Sequence, residues 1–371
     1  MKDEMRCARR QWNCQNLILL VSVMVVLATS GCTTLPLTEF ASYKENFVQA
    51  RKAGEDVLID YSVATKEFDR IEADRAASKT KFKLRSTSLD AASTDGQIAR
   101  IDHVAVRIKA WDVVARYNDL LSALAEGKAA TELTSAIDAL STSLGGFPIA
   151  QVAATAADVT AFLAPLKPLI QEVFREKQRR DFVDAVAKGG DLIYGKFLKL
   201  LRDDVADFYK VRRGLNDLEY LPVVDSVAQT TQKFGELASQ FKKTPALEQA
   251  LTTLNAEIAK LPSSTRDKPA LEPVTVSFGD GSATPEQLEQ LRTYTAQARD
   301  SVAKALEENA ELNAYADVLT AYKGLLNQLE QSMRNLQVAA SQSRPTIPRG
   351  EELQRSVILL REAYDSYKDM R

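Results

Sequence analysis

Histidine is almost absent from this sequence, and cysteine is missing after position 32. His103 is the one histidine, and the cysteines are Cys7, Cys14 and Cys32. Metal sites built on two or more histidines are thereby excluded, and a Ser-His-Asp arrangement would have to use His103 itself. That residue lies between Ile101 and Val104, at the edge of an apolar stripe, where an ordinary boundary side chain belongs. From Thr33 onward no disulfide can form and no thiol can serve as nucleophile, so the body must be held by packing alone. Gly195-Lys196 lacks the glycines that a phosphate loop places before its lysine. S-x-x-K occurs at Ser239–Lys242 and Ser301–Lys304, without the S-D-N and K-T-G companions that acylating serines require. No cofactor motif and no metal-ligand set is visible, and Asp280 alone cannot supply the six to eight oxygens of a calcium site. The reading is therefore non-catalytic, with no cofactor.

Charge is nearly balanced. The formal net charge is −2, and loss of residues 1–31 would remove four cations and two anions, leaving it near −4. Such a balance gives no electrostatic reason to expect nucleic acid as a partner. The basic clusters Arg175–Arg180, Arg212-Arg213 and Lys242-Lys243 are interrupted or flanked by acids and read as solvated helix faces. The acidic pairs Asp203-Asp204 and Glu307-Glu308 read the same way, since adjacent residues on a helix point apart.

Long hydrophobic runs are equally scarce, and the one present is at the start. Arg6, Arg9 and Arg10 precede the uncharged stretch Leu17–Thr29, followed by Ser30-Gly31-Cys32. A basic segment, a short apolar segment and small residues before a cut site make a secretory signal. An uncleaved anchor helix is the alternative, but the stretch falls short of the about 20 apolar residues that a span needs. The segment Leu27-Ala28-Thr29-Ser30-Gly31-Cys32 resembles the lipobox of bacterial lipoproteins, with Thr29 standing where a large aliphatic residue is usual. The resemblance covers residues 1–32 and implies cleavage before Cys32, with diacylglycerol on its thiol and often an acyl chain on the new amino terminus. Thr33, not being Asp, implies sorting to the outer membrane, on its periplasmic face. An anchor of that kind exceeds the two-signal requirement for stable membrane attachment.

The body reads as helix. After the tether 32–37, Phe40, Tyr43, Phe47, Ala50, Gly54, Val57, Tyr61, Ala64, Phe68 and Ile71 step by three and four. This helix is expected to reach about Leu84 and to turn over Ser86–Gly96. A second helix should start after Thr94, with Gln97 in a capping box and Ile101, Val104, Ile108, Trp111 and Ala115 on one face. It should run unbroken through Leu124 and Ile137 to Leu140, so that 38–143 forms an antiparallel hairpin. Residues 144–261 read as an apolar, proline-broken helical region, with helical period at Phe174, Phe182, Val186, Ile193, Phe197, Leu201, Phe208 and Val211, and with Pro222 as an end or a bend.

Thr244-Pro245 opens a helix bearing Leu247, Leu251, Leu254 and Ile258. Residues 262–285 form a Pro-rich loop, the best docking candidate, whose segment Val274–Phe278 alternates like a strand. Thr284-Pro285-Glu286-Gln287 then combines an N-cap, a first-turn proline and a capping-box glutamine. The long helix that follows carries Leu291, Ala298, Val302, Ala305, Leu312, Ala316, Leu319, Tyr322, Leu326, Leu329, Met333 and Leu336, with Thr295 and Asn309 as polar members. A terminal helix, Glu351 to about Lys368, completes the unit 286–371.

The fold class read from these patterns is all-α, an elongated antiparallel bundle of heptad-patterned helices. The expected role is that of a lipid-anchored scaffold or accessory protein of the cell envelope, held by Cys32 and meeting a protein partner. The alternative is a membrane-inserting or pore-forming helical protein using the apolar segment 144–170.

Overall fold

The computed structural model describes residues 37–77, 103–126, 128, 130–147, 162, 164, 184–185, 187–261, 271–341 and 351–371. The signal and lipobox, the polar turn at Ser86–Gly96 with its Thr94 and Gln97 cap, the cluster Arg175–Arg180 and most of 144–170 lie outside these residues. Among the described residues the chain is all-α. Its helices are α1 (Leu37–Ala77), α2 (His103–Ala125), α3 (Ala130–Gly145), α4 (Lys199–Asp203), α5 (Val205–Ala238), α6 (Pro245–Ile258), α7 (Pro285–Ser341) and α8 (Glu351–Met370), with a π-helical segment, Gly190–Leu198, leading into α4.

Neighbouring helices pack as a bundle whose directions are set by named pairs. α1 is antiparallel to α2 through Lys44–Asp119 at 3.2 Å and Arg51–Asp112 at 3.5 Å. α2 is antiparallel to α3, where Ser143 Oγ donates to Asp112 and Lys109 Nζ to the Gly146 carbonyl. α5 is antiparallel to α7 through Arg212–Glu311 and Asn216–Glu308. α7 is antiparallel to α8, since Gln328 bonds Glu352 while Tyr315 meets Tyr367. α1 runs in the same direction as α5 and α8, meeting Phe208 at Tyr61 and Arg371 at Asp60.

The heptad seam of α1 is the buried face of the helix. Phe40, Tyr43, Phe47, Ala50, Val57 and Ala64 are all buried, and Gly54 gives the Trp111 indole of α2 room to lie on the backbone. A Cβ at Gly54 would stand 2.6 Å from that ring.

α2 departs from its expected single face. Val104, Ile108 and Ala115 are half-buried, whereas Val106, Ala110, Val113, Val114, Tyr117, Leu120 and Leu121 are fully enclosed. The helix is covered by α1, α3 and the π segment at once, so its apolar surface wraps most of the way round. It also ends earlier than expected. The Lys128 amide donates back to the Ala123 carbonyl, the six-to-one hydrogen bond that closes a helix C-terminus, and α3 begins anew at Ala130.

Pro222 does not end a helix: it lies inside α5. An interior proline costs about 3 kcal/mol. Tyr220, Val227 and Phe234 are buried on the same helix, and at about 1.5–3 kcal/mol each they outweigh it. Pro222 itself faces solvent, where the carbonyl it leaves unpaired can be hydrated.

The start signals of the late helices are realised in detail. Thr244 caps α6, its Oγ1 accepting from the Leu247 amide at 3.4 Å, with Pro245 in the first turn. At α7 the Gln287 amide donates to Thr284 Oγ1 at 3.3 Å and the Thr284 amide donates to Gln287 Oε1 at 2.8 Å, a complete capping box.

Two hydrophobic cores result. The large one joins α1, α2, α3, the π segment, the start of α5, the C-terminal half of α7 and α8. The small one joins the end of α5, α6, the start of α7 and the extended segment 271–283. α5 and α7 are the two helices continuous through both. Along α7 the small-core half buries a narrow stripe, Leu291, Ala298 and Val302. The large-core half adds Ala314, Tyr315, Val318 and Leu325 to the expected positions, because helices cover it on more sides.

Candidate functional site

Several buried polar constellations interrupt the large core. Arg107 of α2 holds Asp204, at the α4–α5 turn, through both carboxylate oxygens, one of them at 2.6 Å from Nε. The two side chains are 8% and 14% exposed. Near the N-terminal end of α1, Tyr43 and Tyr194 share a hydrogen bond of 3.0 Å, and Tyr194 donates to Asn118 Oδ1. Burial pushes all three hydroxyls of Tyr43, Tyr117 and Tyr194 well above the ordinary phenol range, so none is an available base. Tyr194 is carried by the π segment, and Gly189 just before it lets the Tyr117 ring pass. A Cβ there would fall 1.8 Å from the Tyr117 oxygen.

Farther along, Asp60 of α1 is buried between Arg371 at 3.0 Å and the Arg212–Glu311 pair, under the rings of Tyr315 and Tyr367. Burial pushes the Asp60 pKa up, against the pull of Arg212 and Arg371. Next along the α5–α7 seam, Asn216 Nδ2 donates to the Glu308 carbonyl at 2.8 Å and to its carboxylate at 3.1 Å. Burial and the facing Glu219 carboxylate raise Glu308 to about 7. Arg107 with Asp204 and Arg212 with Glu311 pair opposite charges across helices, whereas Glu308 and Glu219 set two carboxylates against each other at a partly exposed position.

The acid and base pairs expected to be solvated therefore split. Asp203 is exposed beside Lys199 while Asp204 is inside; Glu307 is exposed while Glu308 turns inward; Arg212 is buried while Lys242 and Lys243 are exposed. Adjacent residues do point apart, as expected, but one of each acidic pair points into the seam. Continuing the register of α5 would have found them: Leu201, Asp204, Phe208, Arg212, Asn216 and Tyr220 step by three and four.

The other candidates resolve individually. Ser239 Oγ donates to the Glu236 carbonyl at 2.8 Å in the turn after α5, and Ser301 and Lys304 sit one turn apart on α7. Asp280 is exposed between Gly279 and Gly281. His103 is the first residue of α2. Among the described residues there is no group of three or more His, Cys, Asp or Glu side chains able to hold a metal, and no helix long and apolar enough to cross a membrane. Of the segment 144–170, Leu144, Phe147 and Phe162 are buried in the large core, Phe147 edge-on to Phe197. Cys32 precedes the described residues.

Of the loop 262–285 expected to dock a partner, the described residues 271–283 pack on the small core. Val274, Val276 and Phe278 turn toward the small core while Thr275 and Ser277 face outward, so the strand-like alternation is real. No ladder forms. Asn255 of α6 substitutes for one, its side-chain amide donating to the Val274 carbonyl at 3.1 Å and its oxygen accepting from the Val274 amide at 2.8 Å. A single parallel bridge, Phe241 with Gly281, ties the end of the segment to the turn after α5. Gly281 approaches so closely that a Cβ would lie 2.5 Å from the Gln240 carbonyl.

Open concavities occur among the described residues. One of about 270 Å³ lies among α1, α2 and α3, where the cations Lys44, Arg116 and Lys128 are already paired with Asp119, Asp112, Glu126 and Glu132. Another, about 410 Å³, is a groove between α6 and the first turns of α7. Its floor is apolar, with Leu247 and Leu291 at the base, and Arg292 and Arg299 stand on one rim. Comparison with protein families, with curated proteins and with solved structures finds no match to the chain.

Proposed function

We propose that the chain is a lipid-anchored cell-envelope scaffold. Cys32 fixes it to the periplasmic face of the outer membrane, and the bundle carries its small core away from the bilayer toward a protein partner. The role is structural and involves no catalytic step. The observation that carries this reading is the direction of the chain. α1 begins five residues after Cys32, at the end where Phe40 and Tyr43 pack, and the small core lies at the opposite end of α5 and α7. At a rise of about 1.5 Å per residue, α1 up to Tyr61 followed by α5 from Phe208 to Ala238 sets the two ends about 75 Å apart. Leu144, Phe147 and Phe162, engaged in the large core, weigh against the membrane-inserting alternative.

The test is metabolic labelling with an alkyne analogue of palmitate, followed by membrane fractionation. Wild-type protein should carry the label in the outer-membrane fraction. Cys32→Ser should lose the label and appear as unprocessed or soluble product. A labelled Cys32→Ser protein, or a wild type that is soluble and unlabelled, would remove the anchor.

A further inference from the structure

We infer that the groove between α6 and the start of α7 receives an acidic amphipathic helix of a protein partner. The inference rests on the scaffold reading above and names the chemistry of its partner. Both walls of the groove are helices, with no free strand edge, so an entering segment satisfies its own backbone as a helix. The α7 wall from Leu288 to Arg299 is twelve residues long, about 17 Å, the length of three helical turns. Ala250 and Ala296 line it, and short side chains there admit the ridge of an incoming helix.

The rims carry the specificity. Arg292 and Arg299 are seven residues apart on one helix, so they stand in one row about 10 Å apart. Their side chains are 72% and 65% exposed. Their nearest carboxylates, Glu289 at 3.3 Å and Asp300 at 3.8 Å, are themselves exposed, so both guanidinium groups can re-pair at little cost. The opposite rim does not cancel them. Gln249 and Thr253 are uncharged, and Glu257, with its side chain 12% exposed, is neutralised by Lys260 at 2.7 Å. The occupant that fits is a helix whose apolar stripe lies on Ala250, Leu288 and Ala296, above the buried Leu247 and Leu291, and whose carboxylates, two turns apart, meet Arg292 and Arg299.

The test uses the full lipidated chain in nanodiscs, with empty nanodiscs subtracted, and three fluorescent helical peptides. The peptides share one leucine stripe and carry Glu, Gln or Lys at the two flanking positions. Binding by anisotropy should rank Glu over Gln over Lys, with at least a tenfold span that shrinks on raising salt. The double variant Arg292→Glu, Arg299→Glu should invert the order, and Ala250→Trp, which fills the groove, should abolish binding while circular dichroism stays unchanged. Equal affinity for the three peptides, absence of saturable binding, or binding that survives Ala250→Trp would each overturn the inference. Its failure is separable from that of the anchor. Palmitate-labelled protein that ignores all three peptides loses the groove alone, and unlabelled protein that binds the acidic peptide loses the anchor alone.

Discussion

Replacing Arg107 by methionine should destabilise the fold by about 3–5 kcal/mol, because it strands a carboxylate inside the protein. The ion pair with Asp204 is two-pronged, with side chains 8% and 14% exposed, and it ties α2 to the turn where α4 passes into α5. A surface pair of the same composition contributes about 0–1 kcal/mol, so the magnitude decides whether the site is truly enclosed. Asp204 lies at a seam position between the buried Leu201 and Phe208. The reciprocal variant Asp204→Leu should also destabilise, by removing the carboxylate that answers the buried guanidinium. The double variant, Arg107→Met with Asp204→Leu, should recover most of the loss, since a packed apolar pair can equal a buried ionic one. Urea unfolding of the chain from Thr33 onward, followed by circular dichroism, reads all four proteins. A loss below about 1 kcal/mol in either single variant would mean that the pair is hydrated and the account of the buried layers is wrong.

Other expectations follow from the same interior. Glu308 titrates near 7 when folded and near 4.5 when unfolded, so ionisation weakens the fold as pH rises through that window. Glu308→Gln should therefore leave stability unchanged at pH 4 and raise it at pH 8 by about 1 kcal/mol, discounted for the partial exposure of the group; equal curves at pH 8 would contradict the carboxyl pair. Gly189→Ala drives a methyl into Tyr117 and should lower stability by about 1–3 kcal/mol, with Tyr117→Leu in the same chain restoring part of it; a neutral Gly189→Ala would show that the ring moves freely. Asn255→Ala removes the amide that stands in for a neighbouring strand and should cost about 1–2 kcal/mol, while accelerating hydrogen exchange at Val274; unchanged exchange there would show that the segment is held by side-chain packing alone.

The helical nature of the body, the α1 seam, both capped helix starts and the terminal helix were legible because period, cap and turn residues agreed. The seam of α7 was legible for its narrow half and too narrow for the half that several helices cover, since one sequence face cannot report how many neighbours surround it. The break after Ala125 had a signal in Gly127, but the apolar pattern on both sides of it reads as continuous. Pro222 does not end its helix because tertiary burial along α5 outweighs a local breaker. The π segment was invisible, for its apolar residues fit an ordinary helical period. The buried charges were partly legible, as Asp204, Arg212 and Asn216 occupy seam register, and were missed by following Phe208 to Val211 instead. The groove between α6 and α7 has no sequence signal, because it is created by two helices separated by an extended segment whose course depends on Asn255 and Gly281.

The central claim, an anchored base with the small core held away from the bilayer, is tested most directly by energy transfer to a dyed membrane. No cysteine follows Cys32 in the sequence, and the account has Cys7 and Cys14 leave with the signal, so single labels at Glu45→Cys or Asp280→Cys, both exposed, should report cleanly. In proteoliposomes carrying a headgroup acceptor, a donor at position 45 should be strongly quenched. A donor at position 280, about 70 Å farther along the helix axes, should be nearly unquenched. Equal quenching at the two positions, or none at either, would contradict the account.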